Sequence, residues 1–242
     1  MADTHFEDPR LASVYDPLDP VRLDLDVYTA MVDEFAAQSV LDVGCGTGTF
    51  ACLLSNLGVS VIGLDPAAAS LAVARTKPGA SKVHWIQGYV TALPPLQVEL
   101  VTMTGNVAQV FVDDFEWVSA LRAIRTALTP QGHLVFESRI PEDRAWLRWR
   151  RESSLTRVTI PDIGALEYWV EVTDVHDGVV SFLSTFVFEQ DGAVLTSSST
   201  LRFRSENELT VSLERAGMSV MELREAPDRP GREMVFIAQR LD

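Results

Sequence analysis

Between Ser39 and Phe50 the chain reads SVLDVGCGTGTF. A short apolar run, Val40 to Val43, ends in glycines at alternate positions, Gly44, Gly46 and Gly48, and an amphipathic segment follows at once. That order predicts a buried strand, a tight glycine turn and a helix N-terminus. Glycine there permits positive φ and lets a ligand approach the backbone closely. The stretch therefore predicts a strand–turn–helix unit whose turn receives a nucleotide-like cofactor.

The flanking sequence repeats this grammar. Residues 1–18 are polar and proline-punctuated and read as a loosely held arm, with Asp19-Pro20 opening a helix whose apolar side is Val27, Met31, Val32 and Phe35. After the glycine turn, a helix from Thr49 to Leu57 stops at Gly58. A second strand, Val59 to Leu64, ends at Asp65-Pro66, and Ala67 to Arg75 is helical up to the break at Pro78-Gly79. Further strands are expected at Val83–Ile86 and Leu100–Met103. Asp113 with Glu116 fits a capping box for a helix carrying Trp117, Leu121, Ile124 and Leu128 on one face. Pro130 and Gly132 are read as its end, before a fifth strand, His133 to Phe136. Such alternation predicts an α/β fold, a doubly wound, mostly parallel sheet.

After Glu137 the pattern changes. Residues 141–153 are rich in Trp and Arg, and Leu155 to Phe203 is strand-like, with Asp177-Gly178 and Asp191-Gly192 as hairpin signals. Ser205 with Glu208 forms a second capping box, and the helix it opens stops at Gly217. Two last strands, Met218 to Arg224 and Glu233 to Gln239, close the chain. The expected organisation is an arm and helix (1–38), an α/β core (39–140), a strand-rich insertion (141–204) and a C-terminal helix and strand pair completing the core sheet (205–242).

Composition removes several function classes. Of 242 residues 34 are acidic and 20 basic, a net charge of −14, which argues against a sequence-independent nucleic-acid binder. One basic region, Arg144, Arg148, Arg150, Arg151 and Arg157, stands against that trend. Cys45 and Cys52 are too few for a disulfide framework or metal pattern, and the four histidines lack metal-ligand spacing. No basic-then-apolar leader and no run of about 20 apolar residues occurs, so a cytoplasmic protein without a membrane span is expected.

The chemistry of the glycine turn divides two cofactor classes. Asp65 lies 21 residues past Gly44, a spacing suited to a carboxylate on ribose hydroxyls. A dinucleotide site prefers G-x-G-x-x-G, with its pyrophosphate on the helix N-terminus. Here the third glycine comes one residue early, and Thr49 holds its expected position. Asp42, two residues before Gly44, would repel a pyrophosphate and attract a ligand carrying sulfonium and ammonium. S-adenosylmethionine (SAM) is such a ligand. The alternative for Asp42 is a carboxylate that caps nearby backbone N–H groups, and the two roles can coexist.

At these residues the chain resembles the class I SAM-dependent methyltransferases. VLDVGCGTG is similar to their first motif, and VIGLDPAAASLAVAR to their second. HWIQGYVTALP stands where their third motif contacts adenine, LVTMTGNVAQVF where the fourth closes the site below the methyl group, and GHLVFESR at the fifth strand. The resemblance covers roughly residues 15–139 and extends weakly to 218–239. It implies a seven-stranded Rossmann-like sheet with its last strand antiparallel. It also implies that Gly44, Gly46 and Thr47 line the methionine moiety, Asp65 holds the ribose and Pro66 lies near the adenine; Asp42 and Cys45, within the same motif, are counted with the cofactor-binding residues. Gly88, Tyr89 and Val90 stand at the adenine motif; many relatives have Asp where this chain has Tyr89. Tyr15 resembles a tyrosine folded over the cofactor, and Thr104 belongs to the fourth motif.

For the acceptor, three residues are candidates, each with a plainer alternative. Asn106 follows the fourth strand and can instead cap a turn. Arg139 follows the fifth and can clamp an anionic group, or pair with Glu137, Glu142 or Asp143. Trp146 has helical spacing with Trp149 and can wall a pocket, or simply pack. No catalytic base is assigned and no metal is expected. The expected activity is transfer of the methyl group of SAM to an oxygen or nitrogen of a small molecule. The alternatives are a non-catalytic SAM-binding or regulatory protein and, further off, a nicotinamide-dependent oxidoreductase.

Overall fold

The computed structural model describes residues 3–241. Three helices precede the first strand: α1 (Thr4–Glu7), α2 (Pro9–Leu18) and α3 (Asp24–Glu34). The α/β core follows as β1 (Ser39–Val43), α4 (Thr49–Asn56), β2 (Ser60–Asp65), α5 (Ala68–Ala74), β3 (His84–Gln87), β4 (Val98–Met103), α6 (Asp114–Ala127) and β5 (Leu128–Arg139). After the short α7 (Arg151–Ser154) come β6 (Thr156–Ile160), β7 (Gly164–His176), β8 (Val179–Phe188) and β9 (Val194–Arg202). The chain closes with α8 (Glu206–Arg215), β10 (Met218–Glu225) and β11 (Glu233–Arg240).

The main sheet has the order β10-β11-β5-β4-β1-β2-β3, with β11 antiparallel to both neighbours and β1 to β5 mutually parallel. Strands buried on both faces must be apolar throughout. Accordingly Val40, Leu41, Leu100, Val101 and Leu134 are under 1% exposed. β1 lies between β2 and β4, and the chain passes from one side of β1 to the other in the connection from β3 to β4. The crevice beyond their carboxyl ends is where ligands bind in open α/β sheets. The second sheet, β6-β7-β8-β9, is wholly antiparallel. Its β7–β8 turn has Asp177 and Gly178 both at positive φ, the geometry that an Asp-Gly hairpin requires.

Three local expectations are corrected. The arm is not loose: α2 buries Leu11, Ala12 and Val14, and Leu11 and Val14 pack on Phe186, Phe188 and Ile160 of the second sheet. Asp8-Pro9, not Asp19-Pro20, opens a helix. The Asp8 carboxylate accepts from the N–H groups of Arg10 and Leu11 while Pro9 occupies the first turn. Asp19-Pro20 falls in the connection to α3. At the other end of the core, Pro130 and Gly132 lie within the irregular start of β5, which begins at Leu128 directly after α6.

Both predicted caps exist, with a difference. Ser205 and Glu208 make the full reciprocal box. Asp113 caps α6 through the N–H groups of Phe115 and Glu116, but Glu116 returns no bond to it and instead lines the cavity described next.

Candidate active site

A cavity of about 840 Å3 opens at the carboxyl ends of β1, β2, β3 and β4. This lies in the upper part of the usual small-molecule range, roughly 300–1,000 Å3. Its floor is the glycine turn. Gly44 and Gly46 both take positive φ, +71° and +53°. The reasons for their lacking a side chain differ. A Cβ on Gly44 would meet the Val107 methyls at 2.6 Å, whereas nothing lies within 4 Å of a Cβ on Gly46. Gly44 is thus small for packing. Gly46 faces open space, the cradle a ligand needs.

Two carboxylates flank the turn. Asp42 is 1% exposed and accepts a hydrogen bond from the Thr102 hydroxyl at 3.1 Å. Among the described residues it caps no backbone N–H, so the capping alternative is not realised. Burial pushes its pKa up to about 7. A buried carboxylate in this state ionises most readily beside an incoming cation. Asp65, 8% exposed, ends β2. Its oxygens accept from Gly46 N–H at 2.9 Å and Ala67 N–H at 2.8 Å. Burial raises its pKa too, opposed by those two N–H groups. Asp65 therefore ties the end of β2 to the glycine turn.

The structure brings every residue expected around the cofactor to this one cavity. Tyr15, Asp42, Gly44, Cys45, Gly46, Thr47, Asp65, Pro66, Gly88, Tyr89, Val90 and Thr104 all line it. Burial pushes the Cys45 thiol well up, which keeps it protonated. Tyr89 lines the cavity while remaining half-exposed.

The arm supplies what the sequence did not foretell. Asp3 and Phe6 line the cavity beside Tyr15. Asp16 accepts from the Thr47 hydroxyl at 2.6 Å and the Thr49 hydroxyl at 3.2 Å, and pairs with Lys77 Nζ at 2.6 Å. One carboxylate thus fastens α2 to the N-terminus of α4. Arg22 also lines the cavity, with Nε and Nη2 bonded to Asp24 at 2.7–3.2 Å. Thr200 arrives from β9, and Phe115, Glu116 and Ser119 from the first turns of α6. No local signal marks Thr200, because its place depends on how the second sheet docks.

The three residues expected to meet the acceptor do not line the cavity. Asn106 is 3% exposed, and its N–H and Nδ2 donate to Glu137 and Glu233, each at 3.0 Å. Arg139 donates to Gln109 Oε1 at 2.9 Å and approaches Glu233 at 3.7 Å, so its ionic partner is none of the three acids near it in sequence. Trp146 packs edge-on against Phe203, ring centroids 4.7 Å apart. Three arginines of the basic cluster are likewise engaged elsewhere: Arg148 pairs with Asp143, Arg157 with Glu167, and Arg151 lies over Trp169.

Residues 40–132 match a methyltransferase-domain family. An uncharacterized methyltransferase of Oceanobacillus iheyensis is 30% identical over 112 residues, 46% of this chain and 51% of that protein. The matched region spans about half the length of the curated relatives. Over nearly the whole chain the fold is that of the CcbJ methyltransferase of Streptomyces caelestis, with TM-score 0.79, 22% identity, and 99% and 98% of the two chains covered. It is also that of SAM-bound CalS10, an amino pentose methyltransferase of Micromonospora echinaspora, with TM-score 0.70, 21% identity, and 91% and 93% covered. With this sheet order, glycine turn and domain match together, residues 40–132 are similar to a methyltransferase domain and the whole chain has the fold of the SAM-dependent methyltransferases.

Proposed function

We propose that the chain transfers the methyl group of SAM to an oxygen or nitrogen atom of a small-molecule acceptor, releasing S-adenosylhomocysteine. The observation that carries this reading is Asp42. A carboxylate 1% exposed at the cavity floor, with a hydroxyl and no cation as its hydrogen-bond partner, suits a ligand that brings positive charge. The cavity fits SAM in three further respects. Gly46 leaves room for close approach to the backbone. Asp65 stands where ribose hydroxyls can be held. Arg22, keeping Nη1 beyond its bonds to Asp24, can receive the carboxylate of the methionine moiety beside Tyr15.

SAM supplies an electrophilic methyl carbon on a sulfonium. The chain's own task is then alignment and exclusion of water. Asp42 balances the positive end, Asp65 and the glycine turn fix the nucleoside, and Phe6 and Tyr15 close over from the arm. The volume accommodates an acceptor beside the cofactor. That a similar fold serves an amino pentose methyltransferase supports a small, polyfunctional acceptor.

Calorimetry tests the cofactor: SAM and S-adenosylhomocysteine should bind and NAD should not, and the reverse result removes the reading. Labelled SAM offered with fractionated metabolites tests transfer. Label moving into a small molecule is expected. Tight SAM binding with no acceptor labelled in any fraction would favour a SAM-binding role without turnover.

A further inference from the structure

Behind the cavity wall lies a buried charge cluster that this chemistry does not use. Glu137, near the end of β5, and Glu233, at the start of β11, are 3% and 2% exposed and sit on neighbouring strands. Taking two carboxylates out of water is costly, and apolar side chains of similar size often pack as stably. Here each has partners, though Glu233 Oε2 has none among the described residues. The Tyr28 hydroxyl donates to Glu137. Arg229 lies 2.8 Å and Arg139 3.7 Å from Glu233.

The remaining bonds converge on one short segment. Asn106 gives its backbone N–H to Glu137 and its side-chain Nδ2 to Glu233. Arg139 reaches the same segment through Gln109. Asn106 has φ +62°, a conformation that its two bonds help to hold. The other side of the segment faces the cavity, where Thr104, Gly105 and Val107 form wall. Val107 fills the space that a side chain on Gly44 would take. Residues 104–107 are therefore gripped between the glycine turn and the carboxylate pair. Gln109 also donates to the Arg202 carbonyl at 3.4 Å, which links this wall to the second sheet.

We propose that Glu137 and Glu233 are positioning residues: through Asn106 they hold the 104–107 wall against the glycine turn and so fix the cofactor end of the cavity. Neither carboxylate lines the cavity, so neither is catalytic. The inference rests on the SAM reading above.

The test uses the full chain with Glu137→Gln and, separately, Asn106→Gly. The second variant keeps both acids, both arginines and a backbone able to take positive φ, and deletes the bond to Glu233. The SAM dissociation constant, measured by calorimetry well below the melting temperature, should rise by about tenfold in each, the scale expected when site geometry loosens. Amide exchange should quicken in residues 104–110 and stay unchanged in β1 and β2. A purely structural role lowers the melting temperature but leaves SAM affinity and that local exchange as in the wild type; this result overturns the proposal. If Glu137→Gln does not fold, Asn106→Gly decides alone, and wild-type affinity there is sufficient to reject it. Wild-type protein that fails to bind SAM defeats the cofactor reading instead, and exchange at 104–110 in the two variants then judges the wall.

Discussion

The two halves of the cavity are built differently. The half proposed to face the cofactor comes largely from β1, the glycine turn and the end of β2, residues 39–66, with contributions from the ends of β3 and β4. Its key bonds, Gly46 to Asp65 and Thr102 to Asp42, join neighbouring strand ends. The other side is assembled from remote pieces: Asp3, Phe6 and Tyr15 from the arm, Thr200 from β9, Phe115 and Glu116 from α6. The contrast teaches where specificity resides. A half made from one supersecondary unit has a geometry that few substitutions can retune. A half made from several elements changes shape whenever any of them shifts.

The sharpest way to break this contrast is at Asp65. Asp65→Ala removes the carboxylate expected on the ribose and frees the N–H groups of Gly46 and Ala67. Loss of about 3 kcal/mol, or roughly 100-fold in SAM affinity, is expected by calorimetry. Gly44→Ala should come next. Its Cβ would sit 2.6 Å from Val107 at φ +71°. About 2–3 kcal/mol of stability should be lost, read from denaturant midpoints. Asp16→Asn, which weakens the ion pair with Lys77, should speed S-adenosylhomocysteine release by about threefold to tenfold in stopped-flow displacement.

Acidity offers a smaller and more diagnostic effect. Asp42 has its pKa raised to about 7 in the folded chain. The ionised form attracts the sulfonium, so SAM affinity should rise as pH goes from 6 to 8, by at most about tenfold per unit below 7. The ligand-free protein should show the opposite trend. A raised folded pKa adds stability that is complete below the ordinary carboxylate range and disappears as pH rises through 7. Melting temperature without ligand should therefore fall over this interval, and the increment given by SAM should grow. The smallest effect belongs to the insertion: Trp146→Leu should leave SAM affinity within about twofold, because the ring packs on Phe203 and not on the cavity. A large loss there would show that the two halves are not separable.

How much of this was legible in the sequence follows the same division. The strand–glycine–helix unit, the acid ending β2, and the Asp-Gly hairpin are local devices, and periodicity and turn chemistry reveal them directly. Asn106 and Arg139 were correctly placed near the carboxyl ends of β4 and β5, yet their partners are Glu233 and Gln109, one from the end of the chain and one from a turn. A contact across 127 residues leaves no trace in spacing. The arm was misread because its polar, proline-broken surface outweighs three apolar residues, Leu11, Ala12 and Val14, whose burial comes from remote packing, that of Leu11 and Val14 against the second sheet.

Asp16 fastens α2 to Thr47, Thr49 and Lys77, and for a ligand held between the arm and the glycine turn, arm docking and occupancy would be two faces of one equilibrium. Binding energies are reciprocal: whatever factor a loosened arm costs a ligand that touches Phe6 and Tyr15, that ligand returns in full by holding the arm down. Protease sensitivity of residues 3–18 thereby becomes a gauge of what the cavity contains, readable before any acceptor is known.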